Sequence, residues 1–298
     1  MYPSVEFPTA FHEADRHSLD GQHRTIRTIR WRLVLTVVAT LLLAVAPLWP
    51  VERGHRELEV AALAAAAFFL VAFFLEIREL KLHPERDWYD GRAVAESVKT
   101  LGWRYAVGAA PYPAGLANAS RAFSDDVHNL GIDLHGMRKL LDEGRQTTTS
   151  MDCLRDADLE TRRDAYLRLR VRDQEHWYAH KSEYNRKRGH QWNIVLILAE
   201  ALGVLFALLK GLGVFPIDLA CVMAAVIASG AAWLAIKQHE SLAAAYALAS
   251  KELGDIGRRL SAVDDEQAWA REVAGAEEAI SREHTMWRAS RSRPHLPQ

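Results

Sequence analysis

The stretch WNIVLILAEALGVLFALLKGLGVFPIDLACVMAAVIASGAAWLAIK, Trp192 to Lys237, is almost wholly apolar, yet Glu200 interrupts its first half and Asp218 stands early in its second. KGLG divides it into two runs, Trp192 to Leu209 and Val214 to Ile236. At about 1.5 Å per residue, runs of this length cross roughly 30 Å of hydrocarbon. The turn between them is too short to form a domain, so the chain crosses and returns. A membrane hairpin accounts for the stretch better than a buried soluble one.

The same plan occurs nearer the start of the chain. LVLTVVATLLLAVAPLWPV, Leu33 to Val51, carries no charge. VAALAAAAFFLVAFFL, Val60 to Leu75, follows after the turn VERGHRE and is lengthened by Leu58 and Ile77. The expected fold is an all-α integral membrane protein. It has two transmembrane helical hairpins, with spans at about 33–51, 58–77, 192–209 and 214–236, and long cytoplasmic helices forming a bundle or coiled coil. Formal net charge is -1 over 298 residues, which gives no support to polyanion binding; direct nucleic-acid contact is not expected. Cys153 and Cys221 stand far apart, leaving no disulfide framework or metal cluster to read, and no cofactor is expected. The opening MYPSVEFPTAFHEADRHSLDG is acidic and polar, unlike a cleavable signal peptide.

Arg24, Arg27, Arg30 and Arg32 precede the first span, and Arg78, Lys81 and Arg86 follow the second. Lys181, Arg186, Lys187, Arg188 and His190 precede the third, and Lys237 follows the fourth. The turns hold Arg53 and Arg56, or Lys210. This bias puts both termini and the long middle region in the cytoplasm. Trp31, Trp49, Trp192 and Trp233 fall near span ends, where indoles anchor at the interface.

Outside the membrane, residues 79–191 lack strand alternation and a glycine-rich phosphate loop. Helix is expected from about Trp88 to Tyr105, then a break at PYPAG, then a weaker helix from about Asp125 to Glu143. The expected organisation is a polar segment over 1–20, a first unit over 21–145, a linker over 146–157, a second unit over 158–288 and a disordered tail over 289–298. From about Asp158 a charged helix feeds into the third span. After the fourth, Tyr246, Ala249, Leu253, Ile256, Leu260 and Val263 recur in steps of three and four. Val273, Ala276, Ile280, His284 and Trp287 resume the rhythm. Leu253, Ile256, Leu260 and Val263 are thus candidates for an oligomer seam, or for packing against the 158–190 helix of the same chain.

DWYDGRAVAESVKTLGWRYAVGAAPYPAG, Asp87 to Gly115, resembles the post-hairpin signature of the SLATT superfamily, two-transmembrane effector domains of bacterial conflict systems. The residues that carry the likeness are Trp88, Tyr89, Arg92, Ala95, Glu96, Lys99, Trp103, Arg104 and Tyr105. The later half, with YLRLRVRDQEHWYAHKSEYNRKRGHQW before its hairpin, resembles a second subtype also filed as a domain of unknown function. The resemblance implies a tandem membrane effector of the bacterial inner membrane, acting in anti-phage defence. It implies a homo-oligomer that contacts membrane lipid and perturbs or perforates the bilayer. No sensor domain is legible in the chain, so activation is expected through a separately encoded sensor or nucleotide-signal synthase, through a small ligand bound by the cytoplasmic helices, or through self-assembly.

Glu200 lies inside the third span, where an isolated carboxylate is expensive and must face another helix, water or a polar partner. It is a candidate pore-lining residue, with a hydrogen-bonded helix contact as the plainer reading. Asp218 is a second candidate, and a cap or mouth position explains it more simply. Arg92, Glu96 and Lys99 share one helix face, as an internal charge ladder or as a ligand or docking surface. His176 and His180 have i,i+4 spacing but no third metal ligand. No catalytic set is legible and an enzyme is not expected. The leading expectation is a cation-conducting pore; the alternative is a non-conducting scaffold that recruits a partner through its cytoplasmic helices.

Overall fold

The computed structural model of the chain describes residues 5–48, 50–53, 56–82, 84–132, 146–215 and 217–291. Trp49, the turn residues Gly54 and His55, Pro216, the part of the expected 125–143 helix after Ile132 and the tail after Arg291 lie outside the described residues. The fold is all-α, apart from one short hairpin. Four of its helical stretches, within Thr9–Leu48, Val60–Leu82, Leu159–Gly211 and Leu219–Leu260, are long and apolar enough to cross a membrane. This is a multi-pass membrane protein with two transmembrane hairpins.

Helix α1 (Thr9–Val45) runs through the first basic flank into the first span and ends in a 3-10 turn, Ala46–Leu48. The turn between the first two spans is a small antiparallel ladder of β1 (Pro50–Arg53) and β2 (Arg56–Glu59), with Val51 opposite Leu58. Helix α2 (Val60–Leu82) returns. Helices α3 (Pro84–Ala106) and α4 (Ala119–Ile132) follow. Helix α5 (Thr149–Arg155) lies within the segment expected as a linker, started by Thr148, whose hydroxyl accepts from the Met151 amide at 3.3 Å.

Asp158 caps α6 (Leu159–Tyr166) by accepting from the Thr161 amide at 2.7 Å. A six-residue π-helix, Leu167–Arg172, passes without a break into α7 (Asp173–Gly211), so the expected feed of the charged helix into the third span is present. Helix α8 (Leu219–Lys237) ends at Gln238, whose backbone is left-handed at φ 49°. That one residue separates the fourth span from α9 (His239–Leu260). Helix α10 (Glu266–Arg291) is started by Asp265, whose Oδ2 accepts from the Ala268 amide at 2.7 Å. The Asp264-Asp265-Glu266 interruption in the rhythm is therefore a helix start.

The chain divides into two compact units. One comprises Met1–Gln22, Glu85–Lys181 and Ala245–Gln298; the other comprises His23–Pro84 and Ser182–Ala244. The first unit has two cores that share α3. Val94, Val98, Tyr105 and Ala106 pack with Ala10 and Ala14 of α1, Phe123 and Val127 of α4, and Met151 of α5. Trp103 and Val107 pack with Tyr166, Val171, Tyr178, Leu253, Ile256, Leu260, Trp269 and Val273. Leu253, Ile256 and Leu260 are buried there and Val263 packs partly buried against them, so the three-and-four rhythm has a partner inside the chain.

The second unit holds the membrane helices, and small residues mark its close contacts. Ala39, Ala65 and Val222 are buried. A Cβ built on Gly230 of α8 stands 2.6 Å from Leu196 Cδ2 of α7, so the two helices of the second hairpin approach where a side chain is missing. No more than 11% of any apolar window is buried within the chain, which leaves the spans to be covered by lipid or by other protein.

Candidate functional site

The signature residues fall on one helix, α3, whose two buried faces hold the cores of the first unit. At its start the rings of Trp88 and Tyr89 stack, 5.1 Å apart and 16° from parallel, and the Ser18 hydroxyl donates to the Trp88 carbonyl at 3.0 Å. One turn on, Gly91 lets α1 approach: a Cβ there stands 2.8 Å from the Ser18 amide nitrogen and 3.0 Å from the Ala14 carbonyl oxygen. Arg92 pairs with Glu96 at 2.7 Å and lies 3.9 Å from Asp15. The charge ladder expected from the spacing therefore exists between these two, with Asp15 of α1 added to it.

Farther along, α3 meets a buried charge centre. The carboxylate of Glu277 on α10 accepts from Arg170 at both oxygens, Nε to Oε1 at 2.9 Å and Nη2 to Oε2 at 2.8 Å. The Tyr166 hydroxyl donates to Oε1 at 2.8 Å and the Thr100 hydroxyl to Oε2 at 3.1 Å. The side chains of Arg170 and Glu277 are 1% and 0% exposed. A buried ion pair persists only when its geometry is good and its remaining lone pairs and protons are satisfied. The carboxylate is fully satisfied, while Arg170 Nη1 is buried without a hydrogen-bond partner among the described residues.

The electrostatics hold Arg170 and Tyr166 as donors. Burial opposes charge on Arg170, but Glu277 outweighs it and holds the guanidinium protonated. Burial, with the Glu277 charge, pushes the Tyr166 phenol well above its ordinary range, so it remains a donor. Lys99, on the same helix as Thr100, is pulled below its ordinary range by burial and then by the positive charge of Arg170.

The rest of the signature fixes how α3 packs. The Trp103 ring meets Tyr166 edge-on at 5.7 Å and Phe7 at 6.1 Å. Arg104 donates through Nη2 to the Ala274 carbonyl at 2.9 Å, tying α3 to α10. The Tyr105 hydroxyl donates to Asp152 at 2.7 Å, and burial followed by that hydrogen bond pushes its pKa up to about 12. Arg155 lies over the Tyr105 ring and donates to the carbonyls of Tyr105 and Tyr112, both at 2.8 Å.

Arg170, Tyr166, Thr100 and Glu277 were not picked out by sequence reasoning. One signal was present: Glu277 occupies the apolar rhythm itself, four residues after Val273 and three before Ile280. A carboxylate on a core stripe marks a buried charge in need of a partner.

The two intramembrane candidates belong to the other unit and differ from each other. Asp218 is the cap of α8, accepting from the Cys221 amide at 3.3 Å, and it also pairs with Lys210 across the turn. Glu200 is exposed on α7 and has no hydrogen bond or ion pair among the described residues. Among those residues no group of three His, Cys, Asp or Glu is placed to hold a metal ion.

Residues 8–163 match the family model described as SMODS and SLOG-associating 2TM effector domain 3, and residues 166–287 match domain 1 of the same series. No curated protein and no solved structure matches the chain. The two matched regions both contribute to the buried centre: Thr100 comes from the first, and Tyr166, Arg170 and Glu277 come from the second.

Proposed function

From the premise that this chain belongs to the SMODS- and SLOG-associating two-transmembrane effector family, with two of its domains in tandem, we propose that it is an oligomeric membrane effector that opens a cation-conducting pore. Effector domains of this family are non-catalytic modules. The observation that carries the reading is Glu200. It interrupts an apolar span, is exposed on a single chain and has no partner among the described residues. Hydrocarbon does not tolerate such a group, whereas symmetric copies that turn Glu200 inward give it water and make a ring of carboxylates that favours cations.

The two domains are drawn as 21–145 and 158–288, joined through 146–157. The basic flanks orient the protein with both termini and the α3–α10 bundle on the cytoplasmic side of a bacterial inner membrane. There the bundle is in reach of a separately encoded partner, of the sensor or nucleotide-synthase kind on our reading; the family description itself names association with SMODS and SLOG. Repacking around Glu277 is the step that such a partner would drive. Because α7 is one helix from the bundle into the third span, that step has a direct covalent route to Glu200.

The test is single-channel current from purified protein in a planar bilayer, wild type against Glu200→Gln. Discrete cation-selective steps whose selectivity weakens in the variant support the reading. Steps unaltered by the substitution remove Glu200 from the pore. Silence from inserted oligomer, supplied with products of neighbouring genes and with nucleotides, favours a scaffold that recruits a partner without conducting.

A further inference from the structure

Arg30 of α1 and Lys237 at the end of α8 lie over the same indole. Their charged ends are 5.7 Å and 4.9 Å from the centroid of the Trp233 ring. Arg188 of α7 stands over Tyr184 at 5.5 Å and donates to Gln191 at 3.2 Å. The start of α9 closes on α7 through His239, whose Nδ1 is 2.8 Å from Asn185 Oδ1. The His239 imidazole is held below its ordinary range by burial and then by the positive charges of Lys237 and Arg188.

These cations have no counter-ion: Arg30, Arg188 and Lys237 make no ion pair among the described residues. Arg32, two residues along α1, is different, since it pairs with Glu76 and lies 3.9 Å from Glu79. The carboxylates near the cluster are taken as well. Glu183 holds Arg186 and Lys187, and Glu240 accepts from Asn193 at 3.3 Å. The fold thus neutralises Arg32 and leaves three neighbouring cations unmatched.

Their level in the chain identifies the missing anion. Arg30 shortly precedes the first span, Arg188 the third, and Lys237 directly follows the fourth. Indole and phenol rings occupy the headgroup layer of a bilayer, and basic pockets between spans at that depth take acidic headgroups. A phosphate diester offers oxygens that accept from a guanidinium fork and an ammonium. We propose that Arg30, Lys237 and Arg188, set around Trp233 and Tyr184, form a binding site for the phosphate headgroup of an anionic phospholipid. The site stands on membrane insertion alone and holds whether or not the protein conducts.

The test is native mass spectrometry of the full chain in detergent, titrated with phosphatidylglycerol or with phosphatidylcholine of the same acyl chains. The expected result is preferential retention of phosphatidylglycerol by the wild type. Each basic charge near a headgroup contributes about fivefold, so Arg30→Gln with Lys237→Gln weakens retention by roughly 30-fold. The charge-keeping pair Arg30→Lys with Lys237→Arg, which guards against misfolding, stays within about threefold of wild type. A control pair on the same helix, Arg24→Gln with Arg27→Gln, also changes retention by less than about threefold. Equal loss in the control pair, or undiminished retention in the first, overturns the site. Displacement of the lipid by millimolar inorganic phosphate overturns the assignment to a headgroup in favour of a soluble anion.

Discussion

Glu277 and Arg170 make a two-point ion pair from which solvent is excluded, and the two remaining donors to the carboxylate come from Tyr166 and Thr100. One side chain of α10 therefore takes four hydrogen bonds and joins α3, α6, the π-helix and α10. The arrangement suits a junction better than a catalytic centre, because Arg170 is held protonated and the Tyr166 phenol keeps its proton.

Removing the carboxylate strands the guanidinium. Glu277→Ala is expected to destabilise the bundle by about 3–5 kcal/mol, whereas replacing both partners with apolar residues of similar volume recovers most of that loss. Thermal melts followed by circular dichroism in detergent test this, with a shift of about 10 °C expected for the single variant. A single variant that melts with the wild type removes Glu277 from its place as the junction.

Gly91 and Gly275 offer a paired comparison. An alanine at Gly91 meets the backbone of α1 and forces two helices apart, an effect of about 1–3 kcal/mol that exceeds the helix-propensity gain. An alanine at Gly275, which has open space around it in α10, gains about 0.5–1 kcal/mol. Opposite signs in chemical denaturation are expected; the same sign at both positions contradicts the close approach at Ser18.

Asp218 and Glu200 should separate by phenotype. Asp218→Ala loses a helix cap and the pairing with Lys210, which weakens the second hairpin by about 1 kcal/mol. In the bilayer recording its ion selectivity should match wild type while that of Glu200→Gln changes. Altered selectivity in Asp218→Ala would return that residue to the conduction path.

Alkali should loosen the first unit through its buried phenols. The Tyr105 pKa is raised, so the folded state keeps its proton after the unfolded chain, at the ordinary value near 10, has begun to lose it. Its contribution is complete below pH 10 and disappears as pH rises toward about 12, at most about 2 kcal/mol for this one group. Melts taken between pH 8.5 and 11.5 should fall less steeply in Tyr105→Phe than in the wild type; parallel curves refute the assignment.

The membrane part was the most legible in the sequence, because Leu33–Val51 and the runs around Glu200 and Asp218 leave few alternatives to helix in lipid. The signature on α3 was legible as residues but not as partners: Arg92 and Glu96 are neighbours by spacing alone, while the union of Lys99, Thr100 and Arg170 depends on folding. The seam read in Leu253, Ile256 and Leu260 has the same spacing whether the partner is Val171 of the same chain or a second copy. Periodicity reports a buried face and not what covers it. The Asp218 cap was legible, as one of two plain readings of that residue, since an aspartate just ahead of an apolar run is a common helix start.

The π-helix at Leu167–Arg172 has a bearing on how this family is compared. A π turn is an α-helix with one residue inserted, and one residue is worth about 100° of rotation. Positions before Tyr166 and after Asp173 are therefore out of phase by about a quarter turn, although the helix is unbroken. An alignment that closes this with a gap of one residue is geometrically correct, and a relative one residue shorter there has lost the insertion and kept the helix.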